Sequence, residues 1–288
     1  MTMPSVWATG NLTSRTQRTG RYLPASMDHP AKMLPTIASK VIATYTQPGD
    51  LVLDPMCGIG TTLVEAVHLG REAVGVEYEA RWANLAVANL LHAHRQGATG
   101  TSRVIVGDSR RIRVLLGDRA GRVALVLTSP PYGSSTHGHV RSTRDSGEPG
   151  IKKSNHRYSQ NPGNLAHRDL VTLMEGFGEI LTGCRHLLRP GGIVAITIRP
   201  IRIRGELIDL PGQVLDVAEH AGLVLIDRIA ALLCGVRGDR IVSRASFFQL
   251  QEARRAQARG VPVHAIAHED LLVFTTPAGD AATDGDVR

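Results

Sequence analysis

The chain has 288 residues, 42% of them hydrophobic and 20% charged, a balance ordinary for a globular enzyme with a sizeable core. A net charge of +7 favours a polyanionic partner. Cys57, Cys184 and Cys234 are odd in number and lack ligand spacing, which argues against a disulfide framework or a zinc site, and no apolar run approaches the ~18 residues of a membrane span.

The N-terminus shows no basic segment followed by an apolar stretch, so no signal peptide is expected and the expected location is cytoplasmic. Residues 1–27 hold Arg15, Arg18 and Arg21, no acids and many Thr and Ser, and read as a mobile basic arm. Leu34, Ile37, Ala38, Val41, Ile42 and Tyr45 follow at helical spacing. After a turn at 47–50, Leu51-Val52-Leu53-Asp54 reads as a buried strand that runs into a Gly58-Ile59-Gly60 turn, with a helix opening at Thr61 or Thr62. Two glycines let the backbone turn tightly and approach a ligand closely, and the helix start behind them offers free N–H groups. A lone Gly-x-Gly is weak evidence, and its third glycine is replaced by Leu63.

The next strands each end in an acid. Ala73–Val76 leads to Glu77, where a carboxylate can accept the hydroxyls of a ribose. Val104–Val106 leads through Gly107 to Asp108, which can accept from an adenine amino group; its bland alternative is a turn-forming Gly-Asp pair. Val123–Leu127 leads to Thr128-Ser129-Pro130-Pro131-Tyr132. Paired prolines stiffen the backbone and remove two donors, Ser129 supplies a hydroxyl and Tyr132 a flat face, a set suited to a planar base with an exocyclic amino group. The bland alternative is a Pro-Pro turn with a packed tyrosine. Alternation of strand and helix at this spacing predicts an α/β fold, a doubly wound, mostly parallel sheet whose ligands bind at the strands' carboxyl ends.

Residues 133–168 break the alternation. Arg141, Arg144, Lys152, Lys153, Arg157 and Arg168 stand against only Asp145 and Glu148, among glycines, serines and histidines. A basic lid or target-recognition insertion over the site is one reading and a solvated linker the other. The histidines have no ligand spacing, so no metal is expected. Leu170 to Leu188 trace one amphipathic helix, followed by strand Ile193–Ile198, a helix near 214–221, a strand over 223–226 and a last strand Leu271–Thr275. Arg199 and Arg202 stand just past a strand's carboxyl end, placed for phosphate contact or on a solvated edge. Residues 277–288 read as a disordered tail, which leaves 28–276 as the enzyme domain.

Asp54-Pro-Met-Cys-Gly-Ile-Gly-Thr-Thr resembles the cofactor motif of the amino-methylating DNA methyltransferases, and Thr-Ser-Pro-Pro-Tyr resembles their catalytic motif. His29-Pro30-Ala31-Lys32-Met33 is similar to the family's short His-Pro segment, which helps hold the methionine end of the cofactor. The resemblance implies a seven-stranded Rossmann-like sheet, S-adenosylmethionine as cofactor, and methyl transfer to an exocyclic amino group. Ser before Pro-Pro-Tyr is commonest among cytosine-N4 enzymes and Asp among adenine-N6 enzymes. The cofactor motif precedes the catalytic one here, whereas cytosine-N4 enzymes often have the reverse order.

On that resemblance Ser129, Pro130, Pro131 and Tyr132 are catalytic, and Asp54, Gly58, Gly60, Thr61, Thr62, Glu77, Asp108, His29 and Lys32 hold the cofactor. Arg141, Arg144, Lys152, Lys153, Arg157, Arg199 and Arg202 are then the expected nucleic-acid contacts, with DNA as partner. A second resemblance, through Pro130-Pro131-Tyr132-Gly133 and Ser135-Thr136, is to the tRNA guanine-N2 methyltransferases, which makes RNA the alternative partner. A non-catalytic nucleic-acid-binding module with a retained nucleoside pocket is the alternative of another class. Nothing in the sequence bears on oligomeric state.

Overall fold

Strand-forming runs and amphipathic helices assemble into one sheet covered on both faces. The computed structural model describes residues 4–30, 32–132, 139–141, 152–154, 163–203, 206–244 and 247–277. The sheet strands are β1 (Val6–Trp7), β2 (Leu51–Asp54), β3 (Glu72–Glu77), β4 (Ser102–Val106), β5 (Val123–Thr128), β6 (Leu188–Ile198), β7 (Val224–Leu232) and β8 (His268–Thr275). Their spatial order is β1-β7-β8-β6-β5-β2-β3-β4. β2, β3, β4, β5 and β6 run parallel, and β8 is antiparallel to both β6 and β7. The doubly wound parallel sheet is therefore as expected, with one strand more than seven, because β1 adds in parallel to β7.

The helices are α1 (Ser14–Arg18), α2 (Pro35–Tyr45), α3 (Thr61–His68), α4 (Ala80–Arg95), α5 (Ile112–Leu115), α6 (Leu170–Arg185), α7 (Leu210–His220) and α8 (Phe247–Ala258). Ile37, Val41 and Ile42 of α2 and Leu63, Val64 and Val67 of α3 pack on one face with Val52, Leu125 and Leu127. Phe177, Ile180, Leu181 and Cys184 of α6 pack on the other with Leu53, Val126 and Ile196. β2 and β5 are buried on both faces for this reason, and so read as continuous apolar runs.

The predicted helix through Leu188 ends at Arg185, because Leu188 begins β6. The strand expected over 223–226 continues to Leu232 and the last strand starts earlier, at His268. A hairpin of Gly235–Arg237 with Arg240–Val242, and helix α8, were not foreseen.

The N-terminal segment corrects an expectation. From residue 4 onward it is docked, not a mobile arm. Trp7 is buried in the sheet edge, with the Lys40 ammonium 4.5 Å from its ring centroid. Tyr22 is buried, and its hydroxyl donates to Glu65 Oε1 at 2.7 Å. Arg21 Nε donates to the same carboxylate at 2.8 Å. A buried acid on α3 thus draws this basic stretch inward; buried aromatic area and a paired strand supply the rest of the anchoring. The 278–288 part of the expected tail lies outside the described residues.

Candidate active site

The loop between β2 and α3 forms the floor of the site. Gly58 and Gly60 have φ of 53° and 81°, the left-handed region that side chains rarely enter. A Cβ on Gly58 would lie 3.1 Å from His29 Nε2, and one on Gly60 would lie 3.1 Å from Ala86 Cβ. The Gly60 N–H closes the turn on the Cys57 carbonyl at 2.7 Å, and the Cys57 N–H pins it to Val76 O of β3 at 3.0 Å. His29 is buried, edge-on to Trp82 with ring centroids 4.5 Å apart, so it supports Gly58 from one side.

Two buried carboxyls flank this loop. Glu77 Oε2 accepts from the Gly58 N–H at 2.8 Å and Oε1 from the Glu79 N–H at 2.9 Å. Burial outweighs both bonds and pushes its carboxyl up to about 7. Each oxygen keeps a second lone pair for a ligand hydroxyl. Asp54 accepts from the Met56 N–H at 3.1 Å, from Thr62 Oγ1 at 2.7 Å and from Thr128 Oγ1 at 3.0 Å. Burial again dominates and raises it to about 6. Asp54 and Thr62, both expected at the cofactor, are thus bonded to each other and brace the loop. Asp108 caps the turn that follows it and pairs with Arg110, whose guanidinium holds its carboxyl below the usual range.

Thr61 opens α3 beside a cationic group. Arg18 Nη2 reaches Thr61 Oγ1 at 3.4 Å and also donates to the Met33 carbonyl. Lys32 folds over the carbonyls of Met27 and His29. Burial, with Arg18 nearby, lowers its ammonium to about 8.

Ser129 and Tyr132 follow the carboxyl end of β5, both half-buried, with Pro130 buried between them. The Arg199 guanidinium stands 5.5 Å from the Tyr132 ring centroid. The Tyr132 hydroxyl donates to Glu269 at the start of β8, where burial raises the carboxyl while Arg199 and Tyr132 draw it down. Arg199, expected as a phosphate contact, therefore faces the catalytic tyrosine. Arg202 is half-buried in a small hairpin, opposite Leu207. Arg141, Lys152 and Lys153 lie in a two-stranded antiparallel pairing, Arg141 opposite Lys152. Arg144 and Arg157 lie outside the described residues. Among the described residues no group of His, Cys, Asp and Glu is arranged to hold a metal ion, and no helix is long and apolar enough to cross a membrane.

Sequence reasoning missed three groups. Asn89 of α4 is fully buried; its Nδ2 donates to the Ile59 carbonyl at 2.9 Å and its Oδ1 accepts from the Leu23 N–H at 3.0 Å, which ties the N-terminal segment to the glycine loop. A polar residue on an apolar helical face was the available signal. Glu269, in the otherwise apolar run of β8, carried the same signal. Arg18 was hidden among basic neighbours.

The site fits the nucleoside and amino-acid halves of S-adenosylmethionine. The glycines leave room where side chains would collide, Glu77 offers lone pairs at a strand end, and cations stand at the start of α3.

Residues 2–88 match the family model described as DNA methylase. The tRNA (guanine(10)-N2)-dimethyltransferase of Methanocaldococcus jannaschii is 31% identical over 110 residues, 38% of this chain and 31% of that protein. The type II methyltransferase M2.DpnII of Streptococcus pneumoniae is 34% identical over 84 residues, 29% of each. The chain spans about a third of the length of these curated relatives. A SAM-dependent O-methyltransferase structure from Thermotoga maritima superposes with a TM-score of 0.50 at 14% identity, covering 88% of this chain and 71% of that one. The chain has the Rossmann-like fold of the S-adenosylmethionine-dependent methyltransferases, S-adenosylmethionine is the cofactor of that fold, and residues 2–88 carry the sequence pattern of the DNA methylase family.

Proposed function

We propose that the protein transfers a methyl group from S-adenosylmethionine to an exocyclic amino group of a base in DNA, cytosine N4 first and adenine N6 second. One observation carries the reading: Ser129-Pro130-Pro131-Tyr132 leaves β5 beside the glycine loop, and Thr128 just before it is bonded to Asp54 of that loop. The nucleoside pocket and the amine-binding turn thus share one rim.

The cofactor, when bound, supplies an electrophilic methyl on a sulfonium. An exocyclic base nitrogen is a poor nucleophile because its lone pair is delocalised into the ring. Ser129 Oγ and the Pro130 carbonyl accept the amino protons and orient the lone pair toward the methyl, so the rate gain comes mainly from alignment. Glu77 takes the ribose hydroxyls and Asp108 the adenine amino group, which requires Arg110 to share or yield that carboxylate. Tyr132 stacks on the target base. A base in duplex DNA reaches this turn only by flipping out, at a cost of about a few kcal/mol, which phosphate contacts from the basic 133–168 segment offset.

Methylation of guanine N2 in tRNA is the second reading. It is favoured by two archaeal tRNA (guanine(10)-N2)-dimethyltransferases among the relatives, at 31% and 33% identity.

Labelled methyl transfer to duplex DNA and to unmodified tRNA, with the product nucleoside identified by mass spectrometry, separates the two. N4-methylcytosine or N6-methyladenine in DNA is expected. N2-methylguanine in tRNA with DNA untouched establishes the second reading instead, and no transfer to either overturns both.

A further inference from the structure

Arg18 is the most deeply buried charge on the cofactor side of the sheet, with 2% of its surface exposed. Among the described residues no carboxylate stands within ion-pair distance of it. The nearest acid, Glu65, is taken by Arg21 and Tyr22. Arg18 instead donates to neutral oxygens of Ser14, Met33 and Thr61, and its Nε meets no acceptor. Burial works against its charged form, and the Tyr22 ring 5.5 Å away is a modest compensation. Lys32, a second cation, is near enough for Arg18 to disfavour its charge, and its own contacts are backbone carbonyls. Two cations held together in a low-dielectric place, beside the N-terminus of the eight-residue helix α3, leave a positive potential that nothing described cancels.

We infer that Arg18, with Lys32 and Thr61, forms a site for the carboxylate of the cofactor's amino-acid portion. The inference rests on the cofactor named under the proposed function. Lys32, which is half-buried, and the Thr61 hydroxyl make the contacts, and Arg18 is a positioning residue that holds Thr61 and supplies charge from behind it. It lies in the docked N-terminal segment, outside the motifs that carry the family resemblance. The site selects for the intact amino acid, because a ligand with the same nucleoside and sulfonium but no carboxylate leaves both cations uncompensated.

The test compares S-adenosylmethionine with decarboxylated S-adenosylmethionine, which differs only by that carboxylate, by calorimetric titration of the full chain. The wild type is expected to prefer the intact cofactor by at least about tenfold. In Arg18→Gln the preference falls to near parity while affinity for the decarboxylated ligand stays within about twofold of wild type; Arg18→Lys retains part of it. Equal loss for both ligands makes Arg18 a scaffold residue and overturns the inference, as does a wild type without preference. Lys32→Gln, at a half-buried position, gives an independent arm should Arg18→Gln not fold: an unchanged preference in that variant also overturns it. Failure of the wild type to bind either ligand strikes the proposed cofactor itself, and is thereby told apart from failure of this site.

Discussion

Thr128 donates a 3.0 Å hydrogen bond to the Asp54 carboxylate across 74 positions of chain, and so ties the residue before the catalytic serine to the floor of the glycine loop. Both partners are buried, and Asp54 has two other donors, Met56 N–H and Thr62 Oγ1. Thr128→Val keeps the shape and removes one donor to a buried acid. The expected cost is about 1–3 kcal/mol of stability, read by urea denaturation, with turnover falling further than cofactor affinity because the Ser129 turn loosens. Unchanged stability would show that the bond contributes nothing net.

Tyr132 is held from two sides, by Glu269 at its hydroxyl and by Arg199 near its ring. Tyr132→Phe keeps the stacking face and releases the hydroxyl, and Glu269→Gln weakens the same link from the other end. Each should lower kcat by about tenfold, a loss comparable to one charge-assisted hydrogen bond, and the double variant should be little worse than either alone. Ser129→Ala, by contrast, should cost about a hundredfold in kcat with the cofactor Kd unchanged. Additive losses at Tyr132 and Glu269 would separate the two, and weaker cofactor binding in the serine variant would remove Ser129 from the amine site.

Glu77 and Asp54 titrate near neutrality, at about 7 and about 6, because both are buried. Their folded values lie above the ordinary ones, so the stability they confer is complete below about pH 4 and is lost as pH rises through 6 to 7. The unliganded protein should therefore melt at a lower temperature at pH 8 than at pH 5. Ribose hydroxyls donate to the ionised form of Glu77, so cofactor affinity should run the other way. It should rise by up to about tenfold per unit from pH 5.5 and level off above 7. An affinity that is flat from pH 5.5 to 8 would place the ribose elsewhere.

Much of the catalytic half was legible because its signals are local. Leu51–Asp54 and Val123–Thr128 are buried on both faces, which leaves a continuous apolar run, and Gly58 and Gly60 stand where positive φ is needed. The N-terminal segment was misread because its partners are remote: Arg21 meets Glu65 across 44 positions and Leu23 meets Asn89 across 66. Three arginines without acids look like a solvated arm until the buried acid they face is known. Arg199 and Glu269 were illegible as partners of Tyr132 for a similar reason, since β8 returns antiparallel beside β6 only in the folded sheet. Asp54 was legible as a site residue, while its three internal donors were not.

The edge strand β1 has a consequence for the order of assembly. Val6 and Trp7 pair with Ala230 and Ala231, and Thr9 bonds to Leu232 across 223 positions. The segment that carries Arg18 is thus made near the beginning of synthesis, yet its place at the sheet edge exists only after β7 has formed near the end. Closing so long a loop is among the slowest kinds of contact to make. The glycine turn, built from neighbours in sequence, can be in place well before the N-terminal segment seals it, so the wall of the pocket is finished last.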